Sequence, residues 1–277
     1  MACVVDIRHV SKYFAKVAAN KDVSLTVDAG QVVALLGENG AGKSTIMKIL
    51  YGLYTKDEGE ILIDGVPQQI HSPKDAMACG IAMIQQHFSL VPTHTATENI
   101  ILGNSRGLLN LKACNEKIKA LARKYGFDIP VDLPVGKLAV GVQQKVEILK
   151  ALYMNARILI MDEPTAVLTP QESDTLMQFI RDFTKQGNSV IFITHKMKEV
   201  MQAADRIVVM RAGIVVDALE KADATESLLA RLMIGQDIEP EHRPAPVRLD
   251  GAEPVLELRE IQLQPKHAPA ILDHVSF

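Results

Sequence analysis

The stretch Gly37-Glu38-Asn39-Gly40-Ala41-Gly42-Lys43-Ser44-Thr45 decides the fold, because it fits the phosphate-loop pattern G-x-x-x-x-G-K-[ST]. The apolar run before it, residues 31–36, predicts a buried strand, and residues 44–53 predict a helix. Glycines let successive backbone N–H groups converge on phosphates at the positive end of the helix dipole. Lys43 adds a charge and Ser44 a hydroxyl for Mg²⁺. The residues expected to bind a nucleoside triphosphate are Gly37, Asn39, Gly40, Gly42, Lys43, Ser44 and Thr45.

A second apolar run, residues 158–161, predicts a strand that delivers Asp162 and Glu163 at its end. An acidic residue at the end of such a strand can reach the ligand shell of Mg²⁺. Glu163 can orient or deprotonate an attacking water. Alone, the pair is more simply explained as a solvated helix start. The assignment of Asp162 to the metal and of Glu163 to catalysis therefore depends on the phosphate loop.

Short apolar runs alternate with helical patterns through most of the chain, which predicts an α/β fold with a parallel sheet covered by helices. Residues 189–194 predict another central strand, and the helix before it is expected to stop at Gly187. Residues 206–211 and 213–218 predict a hairpin, followed by a helix over 226–233. Residues 90–155 contain no strong strand pattern and predict a helical subdomain. One helical face there is formed by Cys114, Ile118, Leu121, Ala122 and Tyr125, and it ends at Gly126.

Composition narrows the range of functions. With 30 Lys and Arg against 33 Asp and Glu, the net charge of -3 gives no field that would collect nucleic acid, so no nucleic acid partner is expected. The apolar runs are far shorter than the roughly 18 to 20 residues that cross a bilayer, so a membrane role would need a partner. The N-terminus lacks the features of a secretory signal, which favours the cytoplasm. The three scattered cysteines are assigned no chemistry.

The last part of the chain indicates an internal repeat. Residues 237–253 carry several prolines and charges and predict an extended linker. Residues 255–259 resemble 5–8, and residues 272–277 resemble 20–25, at nearly the same separation in both places. Two unrelated strands that share common residues would be the simpler alternative. The repeat predicts that residues 254–277 are the opening strands of a second, truncated domain.

Several short motifs between and after these elements resemble those of the ABC ATPase family, in the order and spacing of that family. Leu138-Ala139-Val140-Gly141-Val142-Gln143-Gln144-Lys145-Val146 is similar to its signature, about twenty residues before Asp162. Gln86 lies in a stretch that resembles the glutamine loop, and His195 ends a run that resembles the switch histidine. Phe14, or failing it Tyr13, matches the aromatic that stacks on adenine. Each match is weak alone, and their common order supports the resemblance over residues 4–235.

The resemblance implies roles for the remaining site residues. Gln86 is expected to sense Mg²⁺ and the attacking water and to signal to a membrane subunit. His195 is expected to contact the γ-phosphate. The helix start at Ala139 and Gly141 is expected to face a γ-phosphate bound on another copy. The catalytic set is thus Glu163, His195, Gln86 and Lys43, and the metal set is Ser44, Gln86 and Asp162.

The finer resemblance is to ATPases of simple-sugar and nucleoside importers, in which one polypeptide carries two nucleotide-binding domains. Four stretches look particularly like the nucleoside branch: Gln86-His87-Phe88-Ser89-Leu90-Val91-Pro92, Ala96-Thr97-Glu98-Asn99, the stretch from Gln143 to Leu152, and Glu163-Pro164-Thr165-Ala166-Val167-Leu168-Thr169-Pro170. Four positions depart from the family pattern, and two of them are Val140 and Val142, which replace a Gly and a Gln of the signature. Ala139 replaces the signature serine, and Thr169 stands where many members have an aspartate that crosses the dimer interface.

The resemblance implies a P-loop NTPase fold of ABC type, with a RecA-like core, an antiparallel β subdomain and a helical signature subdomain. Residues 4–236 would form the nucleotide-binding domain. ATP and Mg²⁺ are the implied cofactors, and ATP hydrolysis would power import of a nucleoside or simple sugar. The implied partners are transmembrane permease subunits, a second nucleotide-binding domain and, indirectly, an extracytoplasmic solute-binding protein, at the cytoplasmic face of the membrane. A soluble non-transport ABC ATPase and a regulatory nucleotide-binding module remain as alternatives.

Overall fold

The structure is a computed structural model that describes residues 2–86, 88–103, 110–235, 256–263 and 271–276. It divides into two compact units, Met1–Asp237 and Ile238–Phe277, which are described separately. In chain order, the strands of the first unit are β1 (Cys3–Phe14), β2 (Val17–Asp28), β3 (Val32–Leu36), β4 (Glu58–Ile63), β5 (Val66–Pro67), β6 (Ile81–Ile84), β7 (Ile158–Asp162), β8 (Ser189–Thr194), β9 (Arg206–Arg211) and β10 (Ile214–Glu220). Its helices are α1 (Lys43–Leu50), α2 (Pro73–Ala78), α3 (Ala96–Ile101), α4 (Leu111–Lys124), α5 (Val140–Tyr153), α6 (Pro170–Thr184), α7 (Met197–Ala203) and α8 (Glu226–Ile234).

The central sheet has six strands in the order β10-β9-β3-β8-β7-β6. All neighbours are parallel except the hairpin pair β9 and β10. Every residue of β3, β7 and β8 is buried, as expected for strands covered on both faces. Because parallel strands end at the same edge, the segments after β3, β8, β7 and β6 emerge side by side. This edge carries Gly37, His195, Glu163 and Gln86.

A second sheet is antiparallel, in the order β2-β1-β4-β5. Its inward residues, including Val5, Ile7 and Val23, are fully buried against α1 residues such as Ile46 and against the central sheet. The expected α/β fold with an antiparallel β subdomain is therefore confirmed.

Between β6 and β7, the described residues contain helices α3 to α5 and no named strand. The face predicted for α4 is correct, because Ile118 and Ala122 are buried and Cys114, Leu121 and Tyr125 pack partly against the same core. The helix ends at Lys124, before Gly126 at φ 69°. The helical part of the predicted fold is thus present.

Helix α1 ends earlier than the sequence predicted. The expected span was 44–53, whereas the helix covers Lys43–Leu50. Gly52 adopts φ 77°, its N–H donates to Ile49 O at 3.0 Å, and the Leu53 N–H donates to Lys48 O at 2.8 Å. This pair of bonds around a left-handed glycine is a Schellman motif, which terminates a helix. The prediction was wrong at this end because it treated Gly52 as a helical residue.

The described part of the second unit is a two-stranded antiparallel hairpin of β11 (Ile261–Leu263) and β12 (Leu272–Val275). Backbone details match the β1–β2 hairpin. Glu260 adopts φ 51° and donates its N–H to Ser276 Oγ at 2.9 Å, as His9 at φ 52° does to Ser24 Oγ at 2.9 Å. Ser24 and Ser276 lie in stretches that the sequence repeat aligns, and His9 and Glu260 each directly follow the other aligned pair.

One part of the repeat prediction was wrong. Residues 255–259 were matched to the strand residues 5–8, yet the described part of that stretch, residues 256–259, contains no strand, and β11 starts at Ile261. In β1, residues 5–8 pair with β4 on one side and 5–7 with β2 on the other. Within the described residues, β11 pairs only with β12. The second neighbour that extends the ladder in β1 is missing from this part. The predicted linker 237–253 lies outside the described residues.

Candidate functional site

The loop from Gly37 to Gly42 connects β3 to α1, and close contacts require glycine at both of its ends. A Cβ on Gly37 would lie 2.3 Å from Met210 O, and one on Gly42 would lie 2.5 Å from Ala19 O. Gly42 also adopts φ 96° and precedes α1 without a side-chain cap. A helix start that no side chain caps leaves backbone N–H groups for an anion. The loop therefore has the geometry of a phosphate cradle.

Lys43 lies across this loop and is 5% exposed. Its Nζ donates to Gly37 O and to Glu38 O, both at 2.8 Å. Burial lowers the pKa of Lys43, while the nearby carboxylates of Glu163 and Asp162 act in the opposite direction. The ammonium group is thus partly desolvated and held in place by two carbonyl oxygens. A phosphate that reached it would gain a stronger interaction than it would in water.

Ser44 and Asp162 meet at the base of the loop. The Ser44 Oγ donates to Asp162 Oδ1 at 3.2 Å, which brings the first turn of α1 to the end of β7. Asp162 is 9% exposed, and burial raises its pKa. Within the described residues, no cluster of three or more His, Cys, Asp or Glu residues could hold a metal alone. A hydroxyl and one carboxylate suit Mg²⁺, which takes few protein ligands and completes its shell with phosphate and water oxygens.

The structure brings Glu163, His195 and Gln86 together at the sheet edge. Glu163 Oε1 lies 2.9 Å from His195 Nδ1, and Gln86 Nε2 donates to Glu163 Oε2 at 3.4 Å. Glu163 adopts φ 47°, and its N–H donates to Ile193 O at 2.9 Å. A non-glycine residue at positive φ costs free energy and persists only where its surroundings hold it. The Glu163 backbone is therefore held at the sheet edge, and its carboxylate contacts His195 and Gln86.

Phe14 ends β1 and is 42% exposed. Its ring meets Tyr54 edge to face with centroids 5.2 Å apart, and Lys12 Nζ lies 5.5 Å from the ring centroid. The alternative, Tyr13, donates its N–H to Asp57 Oδ2 at 2.7 Å. An exposed ring fixed by an aromatic neighbour offers a stacking face. Stacking of Phe14 on adenine stays a prediction.

Asn20 supports the phosphate loop and was missed as a site residue. It is fully buried, and its Nδ2 donates to Gly42 O at 3.1 Å. The next residue, Lys21, donates its N–H to Gly213 O at 2.9 Å, and Gly213 donates to Ala41 O at 3.1 Å. Strand β2 and the β9–β10 turn are thus bonded to the loop from behind. The sequence offered no local signal for this contact, because the partners are far apart along the chain.

Ala139 and Gly141 lie at the start of α5. Ala139 is the N-cap residue and makes no side-chain cap, and its carbonyl accepts from the N–H groups of Val142 and Gln143 at 2.9 and 3.0 Å. Gly141 is packed so closely that a Cβ there would lie 2.0 Å from Glu172 Oε1. No hydrogen bond or ion pair among the described residues joins this helix start to the loop 37–45. The structure therefore does not bring the predicted signature to the phosphate loop of the same chain.

Thr169 is the N-cap of α6. Its hydroxyl accepts from the Glu172 N–H at 3.3 Å, and Glu172 Oε2 accepts from the Thr169 N–H at 2.9 Å, which is a complete capping box. The same Glu172 side chain packs on Gly141. Thr169 thus supports the signature helix, and its place in a dimer interface stays a prediction.

The fold and the loop together define an ATP-binding cassette, and comparison with solved structures agrees. A cassette of an ABC transporter, MJ1267 in its ADP conformation, superposes with a TM-score of 0.75 at 22% identity, covering 85% of this chain and all of that one (100%). The dimeric cassette MJ0796, in a post-hydrolysis state with ADP and Pi, superposes with a TM-score of 0.69 at 25% identity, covering 78% of this chain and 98% of that one. The first likeness shows the fold alone.

Sequence comparison identifies the family. The ABC transporter family model matches residues 20–166, more than half of the chain, and the chain therefore belongs to this family. Similar proteins include a nucleoside import ATP-binding protein of Lactococcus lactis, 48% identical over 85% of this chain and 47% of that protein. A glucose import ATP-binding protein of Haloferax volcanii is 42% identical over 92% of this chain and 52% of that protein. A ribose import ATP-binding protein of Hahella chejuensis is 42% identical over 97% of this chain and 54% of that protein.

The chain spans about half the length of the curated relatives that it matches, as the covered shares of 47 to 54% show. Among the described helices, none combines the length and apolar character needed to cross a membrane.

Proposed function

We propose that this chain binds and hydrolyses ATP to power the import of a nucleoside or simple sugar through a separate membrane permease. The observation that carries the proposal is the group of Lys43, Ser44, Asp162 and Glu163 at one edge of a parallel sheet. The relatives described above are import ATP-binding proteins for nucleosides, glucose and ribose, which supports this solute class.

In this proposal, each residue has a distinct task. The loop N–H groups and Lys43 bind the β- and γ-phosphates, with Asn39, Gly40 and Thr45 contributing to the cradle. Ser44, Asp162 and Gln86 would hold Mg²⁺, and the ion would neutralise charge on the phosphates. Glu163 orients the attacking water and accepts its proton. His195, which contacts Glu163, reaches toward the γ-phosphate from the adjacent strand.

A second nucleotide-binding domain completes the proposed site. The bare helix start at Ala139 and Gly141 would face the phosphates bound on that domain. The dimeric state of the related cassette with ADP and Pi supports the pairing. The matching bonds at His9 and Glu260 support a second domain beginning near residue 254 of the same polypeptide. Such a pair of domains alternates between open and closed states as ATP is bound and hydrolysed.

The proposed partners follow from this arrangement. Permease subunits at the cytoplasmic face of the membrane would contact the region of Gln86 and the helices α3 to α5, and an extracytoplasmic solute-binding protein would act through them.

A regulatory module with weak turnover is the second candidate. It is favoured by one observation, the missing hydroxyl at Ala139.

Replacing Glu163 with Gln separates the two. If Glu163 accepts a proton from water, Glu163→Gln should lower the rate of ATP hydrolysis about a hundredfold or more. ATP affinity should stay within about twofold, and an ATP-dependent dimer should accumulate on size exclusion. Glu116→Gln, an exposed residue on α4, is the matched control. A regulatory module would show unchanged nucleotide turnover in Glu163→Gln, and that result would reject the ATPase proposal.

A further inference from the structure

Four polar side chains lie behind the pair of Glu163 and His195. Thr165 and Thr194 are 4% and 2% exposed, and Glu199 lies in the first turn of α7 with its side chain 12% exposed. Lys196 completes the group, which we call the Glu199 clamp: Thr165, Thr194, Lys196 and Glu199. None of these residues was predicted to belong to the site. Buried polar groups of this kind are costly unless their hydrogen bonds are made.

Glu199 bonds to both loops that carry the proposed catalytic residues. Its Oε2 accepts from Thr194 Oγ1 at 2.9 Å, and its Oε1 accepts from Thr165 Oγ1. Lys196 Nζ lies 3.1 Å from Glu199 Oε1 and donates to Thr165 Oγ1 at 3.0 Å. The Lys196 N–H also donates to Thr194 Oγ1 at 3.0 Å. One carboxylate therefore joins the segment after β7 to the last residue of β8.

The clamp residues are close in sequence to Glu163 and His195, and their bonds therefore hold these two residues. Thr194 and Lys196 flank His195, and Thr165 follows Glu163 two positions later. The His195 side chain is 47% exposed, so packing alone does not hold it. Glu163 needs support for its positive φ of 47°. Hydrogen bonds to an ionised carboxylate are about twice as strong as neutral ones, which suits this task.

We propose that Glu199 is a positioning residue that, through Thr165 and Thr194, holds Glu163 and His195 at hydrogen-bond distance for hydrolysis. The proposal rests on the proposed function, because it assumes that Glu163 acts on the attacking water. Neither threonine nor Glu199 bonds to the phosphate loop 37–45 in the structure. The clamp therefore acts on turnover and leaves nucleotide affinity unchanged.

A pair of substitutions at Thr194 tests this directly. Thr194→Val keeps the shape and removes the hydroxyl, whereas Thr194→Ser keeps the hydroxyl. At saturating Mg-ATP, kcat should fall about tenfold or more in Thr194→Val and stay within about threefold in Thr194→Ser. ATP Kd should stay within about twofold in both. Glu199→Gln should lower kcat as Thr194→Val does, with Glu116→Gln as its control, because Glu116 forms an exposed i,i+3 pair with Lys119.

If Thr194 had only a structural role, Thr194→Val should keep a higher kcat than Thr194→Ser, because valine favours a strand more than serine does. Rates are compared well below each variant's unfolding midpoint, and Thr165→Val against Thr165→Ser provides a second pair. Equal kcat in the Val and Ser variants, or a parallel loss of kcat and ATP affinity, would overturn the proposal. If the wild-type chain fails to bind Mg-ATP, it is the proposed function that fails, and that binding is measured first.

Discussion

Helices α1 and α5 both begin without a side-chain cap, yet their surroundings differ. Around the start of α1, the same unit supplies Lys43 across the loop and Asp162 beside Ser44. Around the start of α5, the described contacts are structural, with Glu172 against Gly141 and Gln143 Nε2 bonded to Leu138 O. Each helix also buries one ionisable side chain, Lys43 in α1 and Glu147 in α5.

This difference indicates how one chain can carry two unlike parts of a site. The first helix start has a charge, a hydroxyl and a carboxylate arranged for a bound anion and a cation. The second offers only its backbone, and that is enough if the anion arrives on another domain. The buried ionisable side chains of the two helices differ in the same way. Lys43 is held by two carbonyls, whereas Glu147 Oε1 has no hydrogen-bond partner.

Of the two helix starts, α1 should show the larger effect of a substitution, and the quantity affected is ATP affinity. Lys43→Ala should weaken ATP binding about 10- to 100-fold, since a hydrogen bond to a charged group contributes about 1.5 to 3 kcal/mol. Isothermal titration with Mg-ATP measures this. Lys112→Ala is the control, because Lys112 is an exposed lysine near the start of α4. Unchanged ATP affinity in Lys43→Ala would mean that the start of α1 does not bind the phosphates of ATP through Lys43.

A smaller effect is expected at α5. Ala139→Ser supplies the missing cap and should raise stability by about 1 kcal/mol, or about 2 to 4 °C in the unfolding midpoint for a domain of this size. ATP affinity at the phosphate loop of the same chain should not change. The matched variant is Thr169→Ala, which removes an existing cap from α6 and should lower the midpoint by a similar amount. An unfolding midpoint that does not rise in Ala139→Ser would contradict the expected stabilising cap.

The smallest effect concerns the buried carboxylate of α5. Burial raises the pKa of Glu147 above its ordinary 4.5, partly offset by Lys150 and the Ser89 backbone. A raised folded-state pKa means that stability is full below the unfolded pKa and is lost as pH rises through the folded pKa. Glu147→Gln lacks this loss, so its unfolding midpoint relative to wild type should rise from pH 4 toward neutral pH. A difference that is constant with pH would contradict the assignment.

Much of the fold could be predicted because its signals are local. The strands β3, β7 and β8 are continuous apolar runs, and the glycine loop between β3 and α1 follows a known pattern. The order of strands at the sheet edge, which was not predicted, brings Gln86, Glu163 and His195 together. The end of α1 was missed because Gly52 was not treated as a cap, and residues 256–259 were predicted as a strand that the structure lacks.

The supporting residues could not be predicted because their partners are distant in sequence. Asn20 meets Gly42, and Glu199 meets Thr165, only after the sheet has assembled. No periodicity or motif marks such residues. The roles assigned to the individual site residues remain predictions, although their geometry fits the proposed chemistry.

The most direct test of the account is the equilibrium affinity of the chain for ATP, with and without Mg²⁺. The Ser44 and Asp162 oxygens should make binding at least about tenfold tighter with Mg²⁺ than with a chelator, and Asp162→Asn should remove most of that gain. Equal affinity with and without Mg²⁺, or a gain that survives in Asp162→Asn, would contradict the account.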